Sequence, residues 1–245
     1  MLEAKELKKS FGSIEAVKGI SFRVERGEIL GFMGPNGAGK STTMRMITGF
    51  LPPSSGTAVV CGHDVRKDPV SAKKCIGYLP ENAPVYADMT VSGFLGFVSR
   101  IRGYRGAEAR ERVEAVIRKC YLDKVRHQSV ETLSKGFKQR VCFAQSVIHD
   151  PPVLIMDEPT DGLDPNQKRI VRAMIREMAA EKAIIVSTHI LEEVDAVCTR
   201  AMIIAGGRIL ANGTPAELKA RSETGRLDDL FWALTMGRNE MAKAS

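Results

Sequence analysis

The sequence GPNGAGKST at residues 34–42 constrains the fold of this chain more than any other stretch. It fits the pattern G-x-x-x-x-G-K-[ST], in which a glycine-rich loop wraps around a polyphosphate. An apolar run at residues 29–33 precedes the loop, and the helix-compatible residues 41–48 follow it. Strand, loop and helix in this order are the context that the pattern requires, so we expect a phosphate-binding loop rather than a glycine turn without a ligand.

The residues specified by the pattern have physical roles. Glycines let several backbone N–H groups point at the phosphates, where side chains would obstruct a close approach. The helix that follows adds the positive end of its dipole. We expect Lys40 to reach the β- and γ-phosphates and the Ser41 hydroxyl to bind Mg²⁺. The predicted nucleotide-binding residues of the loop are Gly34, Pro35, Asn36, Gly37, Ala38, Gly39, Lys40, Ser41 and Thr42.

The composition is that of an ordinary globular protein. At 245 residues, with 44% hydrophobic and 27% charged residues, the chain can form one α/β domain, or one domain with a subdomain. No apolar run approaches the roughly 18 residues of a membrane span, and the first ten residues lack the apolar core of a signal peptide. We therefore expect a cytoplasmic location. The five cysteines are scattered without a C-x-x-C pair, which indicates neither a disulfide framework nor a zinc site.

The formal net charge of +7 fits several kinds of partner. A modest basic excess suits nucleotide phosphates, an anionic membrane surface or nucleic acid, and it does not choose between them. The densest basic stretch, residues 100–112, mixes both signs of charge. This pattern favours a solvated helix face over a nucleic-acid patch, so we expect no nucleic-acid partner.

Apolar periodicity predicts strands around the loop and helices after it. The predicted strands in this part of the chain are residues 2–7, 14–24, 29–33, 57–61 and 75–79, the first two forming a hairpin. From residue 81 to about 150 the pattern becomes helical, which predicts an inserted helical subdomain. Within it, residues 108–120 place Val113, Val116 and Ile117 on one face of an amphipathic helix.

The remainder of the chain alternates again between strand and helix. Residues 153–156 and 184–186 are continuous apolar runs, typical of strands covered on both faces, with a predicted helix at 166–180 between them. This alternation predicts a mostly parallel α/β sheet. A hairpin at residues 201–211 would close it. After a linker rich in Lys, Ala and Arg, the residues Leu227, Leu230, Phe231 and Leu234 form one apolar stripe, and packing of this helical tail on its own domain is favoured over docking to a partner.

Two acids end the apolar run at residues 153–156. Asp157 and Glu158 would be costly at the end of a buried strand unless a cation or hydrogen-bond donors meet them. Ligands of open α/β sheets bind at that edge, where a Mg²⁺·nucleotide supplies the cation. We expect Asp157 to hold Mg²⁺ and Glu158 to polarise the attacking water.

Further motifs accompany these two. They are LSKGFKQR at residues 133–140, DGLD at 161–164 and STHILEE at 187–193. Together, the five motifs in this order resemble the ATP-binding subunits of ABC transporters, and the resemblance covers residues 2 to about 218. The segment YLPENAPVY at 78–86, the LSKG variant and LDDLFWALT at 227–235 are most similar to the ATPases of ABC-2 type exporters.

The resemblance implies a P-loop NTPase fold with an antiparallel β subdomain at the amino terminus and an inserted helical subdomain. It implies a nucleotide-binding domain at residues 1–219, with the helical subdomain at about 82–150, and a helical tail at 220–245. It also implies a homodimer in which two copies pair head to tail around two ATP molecules. The signature residues that would face the ATP of the partner are Leu133, Ser134, Lys135 and Gly136. Asp164 would bridge the two protomers.

The resemblance also assigns roles around the nucleotide. His189 would contact the γ-phosphate and hold the catalytic water, with Glu158 and Lys40 as the other catalytic residues. Phe11 matches the aromatic residue that stacks on adenine, and Val17 would support the ring. The implied metal ligands are Ser41, Asp157 and Glu81.

The sequence departs from the family pattern at two places. In the signature, usually LSGGQ, Lys135 replaces a glycine and Phe137 replaces the glutamine, and Lys135 would add positive charge near the interface. Glu81 stands where most family members have a glutamine that senses Mg²⁺ and communicates with the membrane partner. A carboxylate can bind Mg²⁺, but it cannot donate a hydrogen bond as an amide does.

Function follows from the resemblance in two forms. The favoured one is an ATPase subunit that powers an exporter, bound to a multi-span permease at the cytoplasmic face of the membrane, with residues 83–97 passing motion to the permease. The alternative is a regulatory or mechanical ABC ATPase that gates another membrane-bound machine. A DNA-repair or translation ABC protein fits poorly, because the chain lacks the long insertions or the second ATPase domain of those relatives.

Overall fold

The computed structural model describes residues 1–82 and 85–235, which form ten β strands and nine α helices. The strands are β1 (Leu2–Phe11), β2 (Ile14–Val24), β3 (Ile29–Met33), β4 (Ser55–Val60), β5 (His63–Asp64), β6 (Ile76–Leu79), β7 (Val153–Asp157), β8 (Ala183–Thr188), β9 (Arg200–Ala205) and β10 (Arg208–Gly213). The helices are α1 (Lys40–Ile47), α2 (Pro69–Lys74), α3 (Val91–Ile101), α4 (Gly106–Lys119), α5 (Lys135–Val147), α6 (Pro165–Ala179), α7 (Leu191–Val197), α8 (Pro215–Ala220) and α9 (Leu227–Thr235).

The central sheet has six strands in the order β10-β9-β3-β8-β7-β6. Every neighbouring pair is parallel except β9 and β10, so the prediction of a mostly parallel α/β sheet is confirmed. Its strands β3, β7 and β8 are buried on both faces. In β7, Leu154 and Met156 pack with the helices, while Val153 and Ile155 pack with the layer shared by β1 and β2. This two-sided burial explains the continuous apolar runs, because neither face of the strand meets water.

A second sheet is antiparallel, with the order β2-β1-β4-β5. The predicted amino-terminal hairpin is confirmed, but β1 continues to Phe11 and does not stop at residue 7. The pairing of β1 with β2 shifts between Ala4 and Leu7, and Glu6 has a φ of +47°. This β-bulge places two polar residues in succession and breaks the alternation on which the prediction relied.

Helices fill the segment between β6 and β7. Three α helices, α3 to α5, and two short 3-10 helices at Asp123–Val125 and Val130–Thr132 lie there. In α4 the residues Val113, Val116 and Ile117 are buried, as the amphipathic pattern predicted. The predicted region of contact with a permease at 83–97 begins with Ala83 and Pro84, which lie outside the described residues.

The carboxyl-terminal part differs from its prediction at one place. The predicted linker is mostly helix α8, which begins after Thr214 with a capping box formed by Thr214 and Glu217. The sequence carries this signal as T-x-x-E, with Pro215 at the first helical position. Helix α9 then packs Leu227 and Leu230 against Leu218 and its neighbours, so the described part of the tail folds back on its own domain. The predicted tail continues to residue 245, and residues 236–245 lie outside the described residues.

Membrane crossing is a matter of helix length and apolarity. Within residues 1–82 and 85–235, none of the helices is long and apolar enough to span a membrane.

Candidate nucleotide-phosphate site

The loop that follows β3 turns back against the edge of the sheet before α1 begins. Gly34 lies so close to β9 that an added Cβ atom would be 2.3 Å from the carbonyl oxygen of Ile204. Gly39 has a φ of +101°, and a Cβ atom there would be 2.6 Å from the carbonyl oxygen of Ala16. Both positions therefore require glycine, one for the close approach and the other also for its left-handed backbone.

Lys40 is the first residue of α1 and is 7% exposed. Its Nζ donates to the carbonyl oxygens of Gly34 at 2.6 Å and Pro35 at 3.3 Å, which keeps the ammonium group inside the loop. Burial lowers the pKa of Lys40, and the nearby carboxylates of Glu158 and Asp157 act in the opposite direction. The lysine thus stands within electrostatic reach of the acid pair from β7.

Parallel strands bring the loop and the acids to one edge of the sheet. In the register, Met33 of β3 pairs with Thr188 of β8, and Asp157 of β7 pairs with Ser187 of β8. The residues that follow these strands therefore emerge side by side. This topology brings the phosphate loop, Glu158 and His189 to one cavity, as the sequence predicted from separate segments, while Asp157 is not among the lining residues.

Glu158 and His189 form a contact at this edge. The Nδ1 atom of His189 lies 3.0 Å from Oε2 of Glu158, and the glutamate side chain is 12% exposed. Burial raises the pKa of Glu158, while its hydrogen bond to His189 and the charges of His189 and Lys40 lower it. Glu158 also has a φ of +50°, a left-handed backbone that non-glycine residues seldom adopt. Such conformations concentrate at functional sites.

A cavity of about 370 Å³ lies between these groups. Its lining residues are Ala16, Asn36, Gly37, Ala38, Gly39, Lys40, Ser41, Thr42, Glu81, Glu158, Asp161 and His189. Lys40 is the only lysine or arginine in this set of described residues, whereas three carboxylates belong to it. The cavity can therefore hold a phosphate chain against the loop and place the terminal phosphate near Glu158 and His189.

Two residues that line the cavity, together with Asp157 at the end of β7, fit Mg²⁺. Magnesium takes oxygen ligands and, when it binds together with phosphates, needs only one or two protein carboxylates. Asp157 is 2% exposed, and the Ser187 hydroxyl donates the only hydrogen bond that its carboxylate accepts among the described residues. A buried carboxylate of this kind is costly without a cation. The Ser41 hydroxyl and the Glu81 carboxylate line the cavity, so the three predicted ligands are of the right chemical type.

The four signature residues are not among those that line this cavity. Ser134 is the N-cap of α5, where its hydroxyl accepts from the Phe137 amide at 3.5 Å, and Gly136 packs against Gln167. Neither Ser134 nor Gly136 lines the cavity of its own chain. Leu133 is buried in the core, where it fixes the start of the helix. The predicted role of these residues toward a second copy stays a prediction.

Three other predicted residues lie apart from the cavity. Phe11 is 48% exposed at the hairpin, with the Lys9 ammonium 5.2 Å from its ring centre. Val17 is buried below the loop, close to Gly39. Asp164 caps α6, because one of its carboxylate oxygens accepts hydrogen bonds from the backbone N–H groups of Asn166 and Gln167. Their assignments to adenine and to the protomer bridge stay predictions.

Sequence reasoning missed Asp161 as a cavity residue. Within the DGLD motif, a role was predicted for Asp164, the last residue, and no role was predicted for Asp161, the first. The position of Asp161 three residues after Glu158 was the available signal, because a short turn after β7 keeps it at the same edge of the sheet. The turn is closed by the Asp161 amide, which donates to the Glu158 carbonyl at 3.2 Å.

Comparison with known proteins identifies the family. The family model described as ABC transporter matches residues 17–161, which is more than half of the chain and includes the phosphate loop, the signature and the acid pair. The chain belongs to the ABC transporter family. The resemblance drawn from the five motifs and the P-loop NTPase fold are both confirmed.

Individual relatives of this ABC protein agree. It is 39% identical over 223 residues to the probable multidrug ABC transporter ATP-binding protein YbhF of Escherichia coli, covering 91% of this chain and 38% of YbhF. It is 37% identical over 222 residues to the linearmycin resistance ATP-binding protein LnrL of Bacillus subtilis, covering 90% and 71%. A solved ATP-binding subunit of an ABC transporter superimposes with a TM-score of 0.85 at 30% identity, covering 96% and 99%. The chain thus spans less than half of the length of YbhF.

Proposed function

We propose that two copies of this chain bind two ATP molecules head to tail between them and hydrolyse ATP to ADP and phosphate. One observation carries the proposal. Lys40, Glu158 and His189 line the cavity of a single chain, whereas Ser134 and Gly136 are not among its lining residues. We propose that further hydrogen-bond donors for the terminal phosphate come from a second copy, at the start of its α5.

The residues of the chain have separate roles in binding and hydrolysing ATP. The loop amides and Lys40 hold the phosphates, and Lys40 stabilises the negative charge of the transferred phosphoryl group. Glu158 accepts a proton from the attacking water, and His189, which contacts Glu158 at 3.0 Å, orients that water. Ser41, Asp157 and Glu81 would hold Mg²⁺ through their oxygen atoms, and the ion would supply positive charge to the phosphates.

The energy of hydrolysis is proposed to drive an ABC-2 type exporter through a separate multi-span permease. A groove of about 510 Å³ beside α3 fits a short segment of such a partner. Apolar side chains dominate it, namely Val85, Tyr86, Phe94, Phe97, Val98 and Ile101. At its polar end the Gln145 Oε1 atom is buried without a hydrogen-bond partner among the described residues. A helix with an apolar face and one polar side chain would pair with this atom.

The groove and the phosphate cavity are close along the chain. Glu81 lines the cavity and Tyr86 lines the groove, five residues later. We propose that a change around the phosphates that moves Glu81 also moves the side chains that line the groove. We propose that residues 1–219 act as the nucleotide-binding domain, with 82–150 as the inserted helical subdomain, and 220–245 as the tail. The complex would lie at the cytoplasmic face of the cell membrane.

Purification from detergent-solubilised membranes tests the exporter role. We expect a multi-span protein to copurify in stoichiometric amount. Replacing Ile101 with Glu should remove most of that protein, because a carboxylate in an apolar groove loses its hydration. Ile101 is 67% exposed, so the isolated subunit should fold normally.

The matched control for this experiment is Ile14→Glu, since Ile14 is 69% exposed on the hairpin, away from the groove. Equal copurification with both variants would contradict the groove as the docking site. A membrane-bound partner without the spans of a permease would favour the regulatory ABC ATPase instead.

A further inference from the structure

Lys135 makes its ionic contact within its own chain. Its Nζ lies 3.9 Å from Oδ2 of Asp161, in the segment that follows β7. Lys135 was expected to add positive charge near the interface with a second copy. The structure directs this charge toward a residue that lines the phosphate cavity of the same chain. The lysine and the aspartate therefore connect the signature with the cavity.

The surrounding contacts make this arrangement specific. Gly162 has a φ of +62°, and an added Cβ atom there would lie 1.9 Å from the Lys135 Nζ, so the lysine chain crosses directly over the glycine. One turn further along α5, the Gln139 Nε2 donates to the Pro159 carbonyl at 3.0 Å. The start of α5 is thus fastened to the segment 159–162 at two places.

Asp161 creates an electrostatic problem for the substrate. It joins Glu81 and Glu158 on the wall of a cavity whose only lysine or arginine, among the described lining residues, is Lys40. The terminal phosphates of ATP carry negative charge into the same space. An uncompensated carboxylate at position 161 would repel them, most strongly once closure of the site removes water.

We propose that Lys135 is a positioning residue that neutralises Asp161 and so permits tight binding of ATP in its own subunit. The contact also holds the Asp161 carboxylate toward α5 and away from the space for the γ-phosphate. This inference rests on the proposed use of the cavity for ATP. Lys135 would therefore act on the phosphate cavity of its own chain, in addition to any contact with a second copy.

A double-mutant cycle tests the proposal through the Kd for MgATP, measured with the full chain by calorimetry. The four proteins are the wild type, Lys135→Ala, Asp161→Asn and the double variant. In the open subunit, where both side chains are about half exposed, we expect Lys135→Ala to weaken binding about threefold to fivefold. Asp161→Asn should change the Kd little, and the double variant should return to within about twofold of the wild type. Lys135→Arg should also bind like the wild type.

A merely structural role for Lys135 would not give this pattern, because its loss would then be equal in the two backgrounds. An equal loss in the wild-type background and in the Asp161→Asn background overturns the proposal, as does wild-type affinity in Lys135→Ala. Lys138→Ala, on the same helix, is the matched control and should be neutral. Calorimetry detects binding without turnover. If the four proteins show the expected Kd values but the wild type has no ATPase activity, the proposed hydrolysis is contradicted and the proposed pairing of Lys135 with Asp161 is supported.

Discussion

Glu158→Gln is expected to lower the rate of ATP hydrolysis by roughly 10²- to 10⁴-fold, the usual contribution of a positioned general base. The amide keeps the size of the side chain and cannot accept the proton of the attacking water. Binding of ATP should persist, because Lys40 and the loop amides are unchanged. ATP should therefore hold two copies of the variant together, and sedimentation velocity should show a dimer with ATP and a monomer without it.

Glu181→Gln is the control for this substitution, since Glu181 is exposed in the turn between α6 and β8. It should keep the turnover of the wild type and show no lasting dimer. Unchanged turnover in Glu158→Gln would remove Glu158 from the role of base. Loss of turnover without an ATP-dependent dimer would still agree with Glu158 as the general base. It would contradict a phosphate site shared between two copies.

Lys40→Met is expected to weaken MgATP binding by roughly 10- to 100-fold and to abolish measurable turnover. Methionine fills a similar volume, so the loss reflects the missing charge and the charge-assisted hydrogen bonds to the phosphates, at about 1.5–3 kcal/mol in total. No other lysine or arginine among the described lining residues can replace it. Calorimetry with MgATP measures the affinity directly.

Lys74→Met serves as the control, because Lys74 is exposed at the end of α2. It should bind MgATP like the wild type. A Lys40→Met protein with nearly unchanged affinity would contradict the assignment of the cavity to phosphate. Because Lys40 is buried and Lys74 is exposed, the thermal unfolding midpoint of both variants should be measured, and we expect it to show an intact fold in each.

Much of the site could be predicted because its parts are local in sequence. The phosphate loop needs glycines at fixed positions between a strand and a helix, and this requirement is written in residues 34–42. The pair Asp157 and Glu158 follows a fully buried strand, where acids need a functional partner. Parallel topology then brings both segments to one edge of the sheet, which follows from alternating strands and helices.

Other features depend on contacts that no local pattern contains. The β-bulge at Glu6 lies against Gly56 of β4, a residue 50 positions away, where a Cβ atom would lie 2.1 Å from the Glu6 carbonyl oxygen. The contact between Lys135 and Asp161 joins segments 26 residues apart, and their spacing gives no period that indicates proximity. The helix α8, in contrast, was missed although Thr214 and Glu217 carry a local start signal.

The central claim is that one phosphate site contains residues from two chains, and complementation between two defective variants tests it most directly. The Lys40→Met variant has a defective phosphate loop but a normal signature segment. The Ser134→Arg variant has a normal phosphate loop but a blocked signature segment. Each alone should be inactive. When they are mixed, a head-to-tail dimer contains one site built from intact halves, so ATP turnover should rise well above the sum of the separate proteins. A mixture that remains at that sum, although mixed dimers form, would contradict the account.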